Sequence, residues 1–481
     1  MRIQGQYVER KRKIMSKYRE FIESKLTSIQ ESGFESDKST YNKNLFEWQR
    51  DIVHWALRKG KACLFEDCGL GKTLQQLSFA EEVCKHTGGN VLILAPLAVA
   101  SQTKAEGVKF GIEVNICRKQ CDVKQGINIT NYEMIEHFEP ETFEGIILDE
   151  SSILKNSTGA TKTALTEMFK NTPYKLCCTA TPAPNDFMEI GNHAEFLGIM
   201  TQTEMLATYF VHDGKNTSKW RLKGHAKSKF FEWIASWACC MTSPADLGYE
   251  AGGYDLPPLN IYEIQVESGD RETDDGQMMF FAETAESLSE RREARKESLE
   301  RRVAKSKEIA EGAGGQALIW CDFNDESALL AQEIAESVEV KGADTDEHKK
   351  TSMIAFSNGE VKRLISKPKI AGWGMNWQNC NTVIFCGLSD SFESYYQAVR
   401  RCWRFGQQKP VDVYIITSEA EIAVKQNIER KQAEAQQMTA ELVKYTKDIL
   451  SSEIKGTIRI SEKYIAIETM IIPEWLRSEV S

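Results

Sequence analysis

Residues 62–80 read ACLFEDCGLGKTLQQLSFA, an apolar run followed by a glycine turn and a helix-like stretch. Gly69 and Gly71 let backbone N–H groups come close to a bound phosphate, and the helix that follows points its positive dipole end at the same place. Lys72 is placed to reach the β and γ oxygens of a nucleotide, and the Thr73 hydroxyl is placed to bind Mg²⁺. The segment therefore predicts a strand, a phosphate-binding loop and a helix.

Short apolar runs alternate with helix-like stretches along the rest of the chain, which is typical of parallel sheets joined by crossover helices. One series of runs lies between residues 61 and 178 and a second between residues 317 and 417. The sequence thus predicts an α/β fold of two tandem parallel-sheet domains with a helical insertion between them. The expected parts are an N-terminal helical extension (1–40), a first lobe (41–255) with a basic insertion (212–230), a second lobe (256–430) with a charged helix (284–310), and a C-terminal extension (431–481).

The composition narrows the class of protein. The chain has 481 residues, 41% hydrophobic and 27% charged, a globular balance that excludes a disordered chain. Its net charge of −10 excludes a uniformly basic nucleic-acid coat protein, although a basic cleft on an acidic body stays compatible. The 13 cysteines include no CxxC pair, which indicates reduced thiols rather than a zinc site. The apolar runs are too short to cross a bilayer and the N-terminus lacks a secretory signal, so we expect no membrane partner and a cytoplasmic location.

A carboxylate pair follows one of the apolar runs. Asp149 closes the run GIILD and Glu150 comes next. Because the carboxyl ends of parallel strands meet at the ligand-binding edge of a sheet, we expect both acids beside the phosphate loop. Asp149 would hold Mg²⁺ through water, and Glu150 would polarise the water that attacks the γ-phosphate. Thr179 and Thr181, after the run YKLCC, are expected to hydrogen-bond the acidic pair and couple it to the neighbouring domain.

The second domain is the feature that distinguishes a motor from a simple phosphate-loop kinase. Its helix-like segment SFESYYQAVRRCWRFGQ, residues 391–407, contains Gln397, Arg401 and Arg404, with the two arginines on one helix face. Arginines that a second domain presents to a γ-phosphate stabilise transition-state charge only when the domains close. We therefore predict that Arg401 and Arg404 are catalytic.

A basic stretch with interleaved aromatic residues, DGKNTSKWRLKGHAKSKFF at 213–231, is the candidate surface for nucleic acid. Cations in such a stretch can follow a phosphate backbone, and each neutralised phosphate steepens the salt dependence of binding. A solvated basic loop is the competing interpretation. The residues predicted to contact nucleic acid here are Lys219, Arg221 and Lys223.

Taken in order, these motifs resemble those of superfamily 2 helicase-type motors, and within them the SWI/SNF branch of double-stranded DNA translocases. The resemblance covers about residues 45–431. Its segments are LFEWQRDIVHWAL (45–57), EDCGLGKT (66–73), LILAPLAVA (92–100), ITNYE (129–133), ILDESS (147–152), CCTATPAPN (177–185), DLPPL (255–259), ALIWCDF (317–323), IAGWGMN (370–376) and QAVRRCWRFGQ (397–407).

The resemblance implies two RecA-like lobes that bind ATP and Mg²⁺ between them and move along nucleic acid, with duplex DNA as the expected partner. Gln49 would read the adenine, Thr130 would contact the nucleic-acid backbone, and Thr73 and Asp149 would hold the metal. A compact bacterial or phage-type member, in the cytoplasm of a bacterial or phage-infected cell, is implied, and no motif identifies a protein partner. The other nucleotide-binding residues implied are Gly69, Gly71, Lys72, Gly372, Gly374 and Gln397.

The chain departs from the family pattern in three motifs, and these departures keep alternatives open. Because serines replace residues that couple the two lobes, a nucleic-acid-binding scaffold with an idle ATPase is one alternative. A strand-separating helicase on DNA or RNA is another, and a phosphate-loop kinase, which would not explain the arginine helix, is the weakest. The replacing residues are Ser151 and Ser152 (for Ala-His or Gly-His), Pro368 and Lys369 (for Thr-Arg), and Arg400 and Trp403 (for an acid and a histidine).

Overall fold

The structure is a computed structural model, and its β-strands fall into two series along the chain. It describes residues 31–96, 99–155, 159–183, 186–213, 216–250, 252, 254, 256–267, 296–371, 375–389, 391–418 and 422–454. The strands in these ranges are β1 (Lys61–Glu66), β2 (Asn90–Ala95), β3 (Val114–Ile116), β4 (Ile127–Asn131), β5 (Phe143–Asp149), β6 (Tyr174–Thr179), β7 (Phe210–Asp213), β8 (Asn216–Leu222), β9 (Ala238–Met241), β10 (Leu259–Val266), β11 (Ala317–Trp320), β12 (Ser337–Val340), β13 (Arg363–Ser366), β14 (Thr382–Cys386) and β15 (Val411–Ser418).

Helices connect the strands. Among the described helices, none combines the length and the apolarity that crossing a bilayer requires. The α-helices are α1 (Glu47–Lys59), α2 (Lys72–Thr87), α3 (Ala100–Phe110), α4 (Ala160–Met168), α5 (Ile190–Leu197), α6 (Gln202–Tyr209), α7 (Lys227–Ala235), α8 (Leu299–Gly312), α9 (Asn324–Glu333), α10 (Asp346–Ser357), α11 (Pro368–Ala371), α12 (Phe392–Val399) and α13 (Ile422–Ile454). Short 3₁₀ helices are Lys38–Thr40, Gln120–Asp122, Tyr132–His137, Pro140–Thr142, Ser151–Lys155, Phe187–Glu189, Gly224–Ala226 and Pro244–Leu247.

Each lobe is built on one parallel sheet. The first sheet has the strand order β3-β4-β2-β5-β6-β1-β9, and the second has the order β10-β15-β14-β11-β13-β12. In the first sheet β6 lies between β1 and β5, with Phe65 opposite Thr179 and Asp149 opposite Cys178. The loops that follow β1 and β5 therefore emerge at the same edge. The prediction of an α/β fold with two tandem parallel sheets is confirmed.

Apolar side chains cover both faces of each sheet, as expected for strands buried between helices. In the first sheet Ile147 and Leu176 pack into one apolar cluster, and Leu148 and Cys177 pack into the cluster on the opposite face. The clusters on the second sheet follow the same alternation. These strands read as continuous apolar runs in the sequence because both of their faces are buried.

The predicted insertions take more specific forms. Residues 212–230 include most of an antiparallel hairpin, β7 with β8, and the start of α7, so the first part of this insertion is not helical. The following strand β9 pairs with β1, which places the insertion within the first sheet's domain. Of the predicted charged helix 284–310, the part up to 295 lies outside the described residues, and the rest belongs largely to α8.

Helix α13 packs against both lobes. Near its start Val424 and Ile428 join an apolar cluster of the second lobe. Near its end Ile449 and Leu450 join a cluster of the first lobe, and Glu453 accepts a hydrogen bond from Trp55 Nε1 at 3.1 Å. The helix has 33 residues and runs unbroken across 430/431, so the predicted domain boundary there does not coincide with the end of an element.

Leu450→Ala is expected to destabilise the first lobe by about 2–5 kcal/mol, because the fully buried side chain leaves a cavity where α13 meets the sheet. Chemical unfolding of wild type and variant measures the change. Asp448→Ala, an exposed position two residues earlier on the same helix, serves as the control and is expected to change stability by less than about 0.5 kcal/mol. Equal stability of wild type and Leu450→Ala would contradict the packing of α13 on this lobe.

Candidate nucleotide site between the two lobes

The phosphate loop joins β1 to α2 through two glycines in the left-handed region. Gly69 has φ 89° and Gly71 has φ 75°, conformations that other residues adopt only with strain. A Cβ at position 71 would lie 2.5 Å from Gln49 Nε2, and one at position 69 would lie 3.0 Å from the backbone nitrogen of Phe405 in the second lobe. Glycine is therefore required at both positions, by the turn and by the groups that close in around it.

Lys72 is turned inward onto the loop. Its Nζ donates to the carbonyl oxygens of Glu66 and Asp67 at 2.8 and 2.9 Å. The backbone N–H groups from Gly69 to Thr73 donate to no acceptor among the described residues. Successive amides at a helix N-terminus beside a lysine form a site that fits an anion such as a nucleotide phosphate.

Glu66 lies beneath the loop and is fully buried. Its Oε2 accepts a hydrogen bond from Gln75 Nε2 at 2.7 Å, and its Oε1 has no partner among the described residues. Burial raises the pKa of this carboxyl to about 7, while Lys72 and the Gln75 bond act in the opposite direction. The residue at the first position of the phosphate motif thus supports the loop from inside the lobe.

Gln49 holds the loop from the side of α1. Its Oε1 accepts from the backbone nitrogen of Phe46 at 3.0 Å, and its Nε2 donates to the carbonyl oxygen of Leu70 at 2.9 Å. The structure therefore brings the predicted adenine-reading residue to the phosphate loop. Its contacts here are made to the backbone.

The acidic pair lies beside α2, as predicted. Gln76 Nε2 donates to Asp149 Oδ1 at 2.7 Å, and Tyr132 Oη donates to the Asp149 carbonyl at 2.7 Å. Glu150 has φ 54°, a strained conformation for a residue with a side chain, and such strain is common at functional sites. Burial raises the pKa of both carboxyls, that of Glu150 to about 7, with the charge of Asp149 as the second cause for Glu150.

The oxygen donors present suit Mg²⁺, which takes few protein ligands and completes its shell with phosphate and water. Asp149 supplies a carboxylate and Thr73 supplies a hydroxyl at the start of α2. The described residues contain no cluster of three or more His, Cys, Asp or Glu side chains that would form an all-protein cage. This donor set fits a metal held jointly with a nucleotide.

The two serines that follow the acidic pair, Ser151 and Ser152, make separate contacts. Ser151 Oγ lies 3.1 Å from Nε2 of His193, a fully buried imidazole whose pKa burial lowers to about 4, so that the ring is neutral. Ser152 Oγ donates to Glu393 Oε1 of the second lobe at 2.9 Å. The departure from the family pattern at this motif therefore forms a contact between lobes.

The predicted coupling threonines lie at the end of β6. The backbone nitrogen of Thr181 donates to Thr179 Oγ1 at 3.1 Å, which forms a tight turn. Thr181 Oγ1 is buried without a partner among the described residues. Both threonines are near the acidic pair through the register of β5 and β6, and the structure shows no hydrogen bond from either to Asp149 or Glu150.

The predicted catalytic arginines follow α12 and face the first lobe. Arg401 Nη1 and Arg404 Nη1 both donate to the carbonyl oxygen of Met375 at 3.2 Å. Arg401 Nε also donates to the Gln397 carbonyl at 3.1 Å, and the Gln397 side chain is buried. The positive charge of Arg401 acts to lower the pKa of both Asp149 and Glu150, against burial. The arginines of one lobe thus lie near the acids of the other.

The neighbouring residue Arg400 contacts the phosphate loop directly. Its Nη2 donates to Asp67 Oδ2 at 2.9 Å and to the carbonyl oxygen of Cys68. Tyr396 Oη donates to the other oxygen of Asp67. Sequence reasoning assigned no role to Asp67, Tyr396 or Glu393, because their partners lie more than two hundred residues away and only the docking of the lobes brings them together.

The residues predicted to contact nucleic acid differ in their exposure and in their partners. Lys223 Nζ donates to the carbonyl oxygens of Ala207 and Thr208 at the end of α6, so its charge serves a helix C-terminus. Thr130 is 2% exposed within β4, which leaves its side chain no surface for nucleic acid. Arg221 is exposed on β8. The predictions for Lys223 and Thr130 are therefore not supported by their side-chain positions. Gly372, Gly374 and the Lys219 side chain lie outside the described residues.

Comparison with protein families gives two matches, in the order in which the lobes occur. The SNF2-related domain matches residues 41–210, and the Helicase conserved C-terminal domain matches residues 294–406. Together the two matched ranges cover more than half of the chain.

Curated relatives match over part of their length. The chain is 30% identical over 157 residues to the SWI/SNF-related matrix-associated actin-dependent regulator of chromatin subfamily A-like protein 1 of Xenopus tropicalis, which is 30% of this chain and 16% of that protein. It is 29% identical over 154 residues to Helicase SWR1 of Debaryomyces hansenii, which is 28% of this chain and 9% of that protein. The chain thus spans a small fraction of these relatives.

Among solved structures, the Sulfolobus solfataricus SWI2/SNF2 ATPase core in complex with dsDNA matches with a TM-score of 0.41 and 19% identity. The match covers 87% of this chain and 98% of that one.

Glu66→Gln is expected to raise the free energy of unfolding at pH 8 by up to about 3 kcal/mol. The pKa of Glu66 rises from the ordinary 4.5 to about 7 on folding, so the wild type loses stability as the pH rises across this range and the neutral amide does not. Chemical unfolding from pH 4.5 to 8 measures the difference, which should vanish at the acid end. Glu113→Gln, at an exposed position, is the control, and a difference that does not change with pH would contradict the assignment.

Proposed function

This chain belongs to the SNF2 branch of the superfamily 2 helicase-type ATPases, and on that basis we propose that it is an ATP-driven motor that moves along duplex DNA. The order of the motifs along the chain and the two matched domains support the proposal. The family resemblance stated from the sequence is confirmed. The use of duplex DNA as substrate and the movement along it are proposals.

One observation carries the proposal, which is the docking of the arginine segment of the second lobe on the phosphate loop of the first. Arg400 is bonded to Asp67 at 2.9 Å, and Phe405 approaches Gly69. Arg401 and Arg404 lie on this same segment. A phosphate loop that meets arginines from a second α/β domain is the arrangement that hydrolysis gated by domain closure requires.

In the proposed reaction each residue of the site has a distinct role. ATP bound at the loop supplies the γ-phosphate bond that is hydrolysed, and Mg²⁺ supplies charge neutralisation. Glu150 would orient the attacking water and accept its proton, and Asp149 and Thr73 would hold Mg²⁺. Arg401 and Arg404 stabilise the charge that develops on the γ-phosphate oxygens. Burial lowers the pKa of Arg404 to about 10, so this guanidinium is still charged at neutral pH.

Lys72 has to change partners during this cycle. In the structure its ammonium group donates hydrogen bonds to two loop carbonyls, those of Glu66 and Asp67. A nucleotide phosphate is a stronger acceptor for this ammonium group than a carbonyl, because the phosphate carries a full negative charge and the carbonyl only a dipole. The lysine therefore moves from the loop carbonyls to the phosphate oxygens when a nucleotide binds.

The alternative of a scaffold with an idle ATPase is based on Ser151 and Ser152, which replace the residues of the family pattern. Ser152 is hydrogen-bonded to Glu393, so the motif has a route to the second lobe. The other alternative is a strand-separating helicase. A duplex translocase is expected to displace the third strand of a triplex, whereas a strand-separating helicase is expected to unwind a forked duplex. Running both assays on one preparation discriminates between the two.

Glu150→Gln is expected to lower ATP turnover roughly 10²-fold or more, because the amide cannot accept the proton of the attacking water. Steady-state hydrolysis is measured for both proteins without nucleic acid and with duplex DNA, single-stranded DNA or RNA. The wild type should be stimulated most by duplex DNA, and the variant should still bind a fluorescent ATP analogue. Lys72→Ala and Arg404→Ala should also lose most turnover. Absence of hydrolysis by the wild type under all four conditions would refute the motor.

Arg221→Ala is expected to weaken duplex binding and to reduce the slope of log affinity against log salt by about 1, because one phosphate contact is lost. Fluorescence anisotropy at several salt concentrations measures both quantities. Lys229→Ala is the matched control, since Lys229 is paired with Glu232 at 2.6 Å on the neighbouring helix. An unchanged slope in Arg221→Ala would exclude a phosphate contact by Arg221.

A further inference from the structure

Helix α12 contacts the first lobe at both of its ends. At its C-terminal end, Arg400 and Tyr396 bind the carboxylate of Asp67, two residues before the first phosphate-loop glycine, Gly69. At its N-terminal end, Glu393 accepts hydrogen bonds from Ser152 Oγ and from Lys155 Nζ, just after the acidic pair. We call these two sets of contacts the α12 clasp.

The charges of the clasp have opposite polarity at its two ends. At the phosphate loop the first lobe supplies the acid, Asp67, and the second lobe supplies the base, Arg400. After the acidic pair the second lobe supplies the acid, Glu393, and the first lobe supplies the base, Lys155. The two ends lie about 10 Å apart along the helix axis, at 1.5 Å per residue. Reversal of the helix would place Arg400 beside Lys155 and Glu393 beside Asp67, and a shift by one turn, about 5.4 Å, would separate both pairs, so the clasp specifies one register of the lobes.

Burial makes the clasp more than a pair of surface salt bridges. The side chain of Arg400 is 3% exposed and that of Glu393 is 10% exposed. Arg400 also packs over the ring of Trp403 at 4.9 Å. Breaking a buried charge pair by removing one partner is strongly destabilising, because it leaves an uncompensated charge. Their partners are more exposed, Asp67 at 21% and Lys155 at 41%, so removing Asp67 or Lys155 would leave the buried charge of Arg400 or Glu393 uncompensated.

The clasp lies next to the arginines that are proposed to act in hydrolysis. Arg401 directly follows Arg400, and Arg401 and Arg404 are held on the Met375 carbonyl. A side chain that fixes the end of α12 to the loop also fixes where these two guanidinium groups can reach. A misplacement of about 1 Å can cost roughly 10²-fold in rate.

We propose that Arg400 and Glu393 are positioning residues, which couple docking of the second lobe to the phosphate loop and to the acidic pair. This inference rests on the proposed ATPase function for its kinetic consequence. Arg400 stands where the family pattern has an acid, and Ser152 stands where it has a histidine, so the clasp includes two of the positions at which this chain departs from that pattern.

Charge exchange across each end tests the proposal in the full chain. The variants are Arg400→Asp, Asp67→Arg and the two combined, and Glu393→Lys, Lys155→Glu and the two combined. Each single reversal should lower kcat by roughly tenfold or more through misplaced arginines. Each combined exchange should regain most of the loss, because the pair is restored with its polarity reversed. In Arg400→Lys, which keeps the charge, kcat should fall less than in Arg400→Asp, with the KM for ATP nearly unchanged.

A second measurement does not depend on turnover. Amide hydrogen exchange is followed at Asp67, Leu74, Gln75 and Ile153, whose backbone N–H groups are hydrogen-bonded near the two ends of the clasp. Without nucleotide or nucleic acid, this exchange should quicken in the single reversals and slow again in the combined exchanges. Arg430→Asp is the control, because it breaks an exposed pair with Glu434 inside α13 and should change neither readout. Single and combined variants that lose activity additively and exchange alike would overturn the clasp. If wild-type hydrolysis is absent while exchange follows the predicted pattern, the clasp stands and the proposed function fails.

Discussion

The phosphate loop is the constraint on which the rest of the site depends. Its two glycines have positive φ angles, which allow a tight turn, and the surrounding groups hold this turn from three sides. Gln49 binds it from α1, Glu66 and Gln75 support it from within the lobe, and the second lobe closes over it. A loop of exposed amides is otherwise unstable in a protein, because backbone donors need partners. The packing around the loop keeps its donors available for an anion.

Two of the departures from the family pattern can be interpreted once each residue is considered together with its partner on the other lobe. Ser152 alone looks like the loss of a coupling residue, and Arg400 alone looks like a reversed charge. In the structure each has a partner on the other lobe, Glu393 for the serine and Asp67 for the arginine. A substitution at an interface between domains is interpretable only with its partner, because the energy of a buried polar group is set by whether its hydrogen bonds are satisfied.

The residues predicted for the first-lobe site lie together in the structure, whereas two of those predicted to contact nucleic acid, Lys223 and Thr130, are bonded to a helix end or buried. Lys72, Asp149 and Glu150 follow buried parallel strands, and strand ends converge at one edge of a sheet whatever the loops do. Lys223 belonged to a basic run, but in the structure it caps a helix, since a long cation can satisfy carbonyls as well as phosphates. Charge in a sequence indicates neither which way a side chain turns nor what it meets.

The sequence by itself determined the two parallel-sheet lobes, the phosphate loop and the order of the motifs. These depend on local patterns, namely apolar strands, glycine turns and helix starts, which neighbouring residues specify. Only the tertiary structure decided how the lobes meet, which side chains hold α12, and that α13 packs on both lobes. Those contacts join residues hundreds of positions apart, and their energies depend on burial and on distances of about 3 Å that no local pattern encodes.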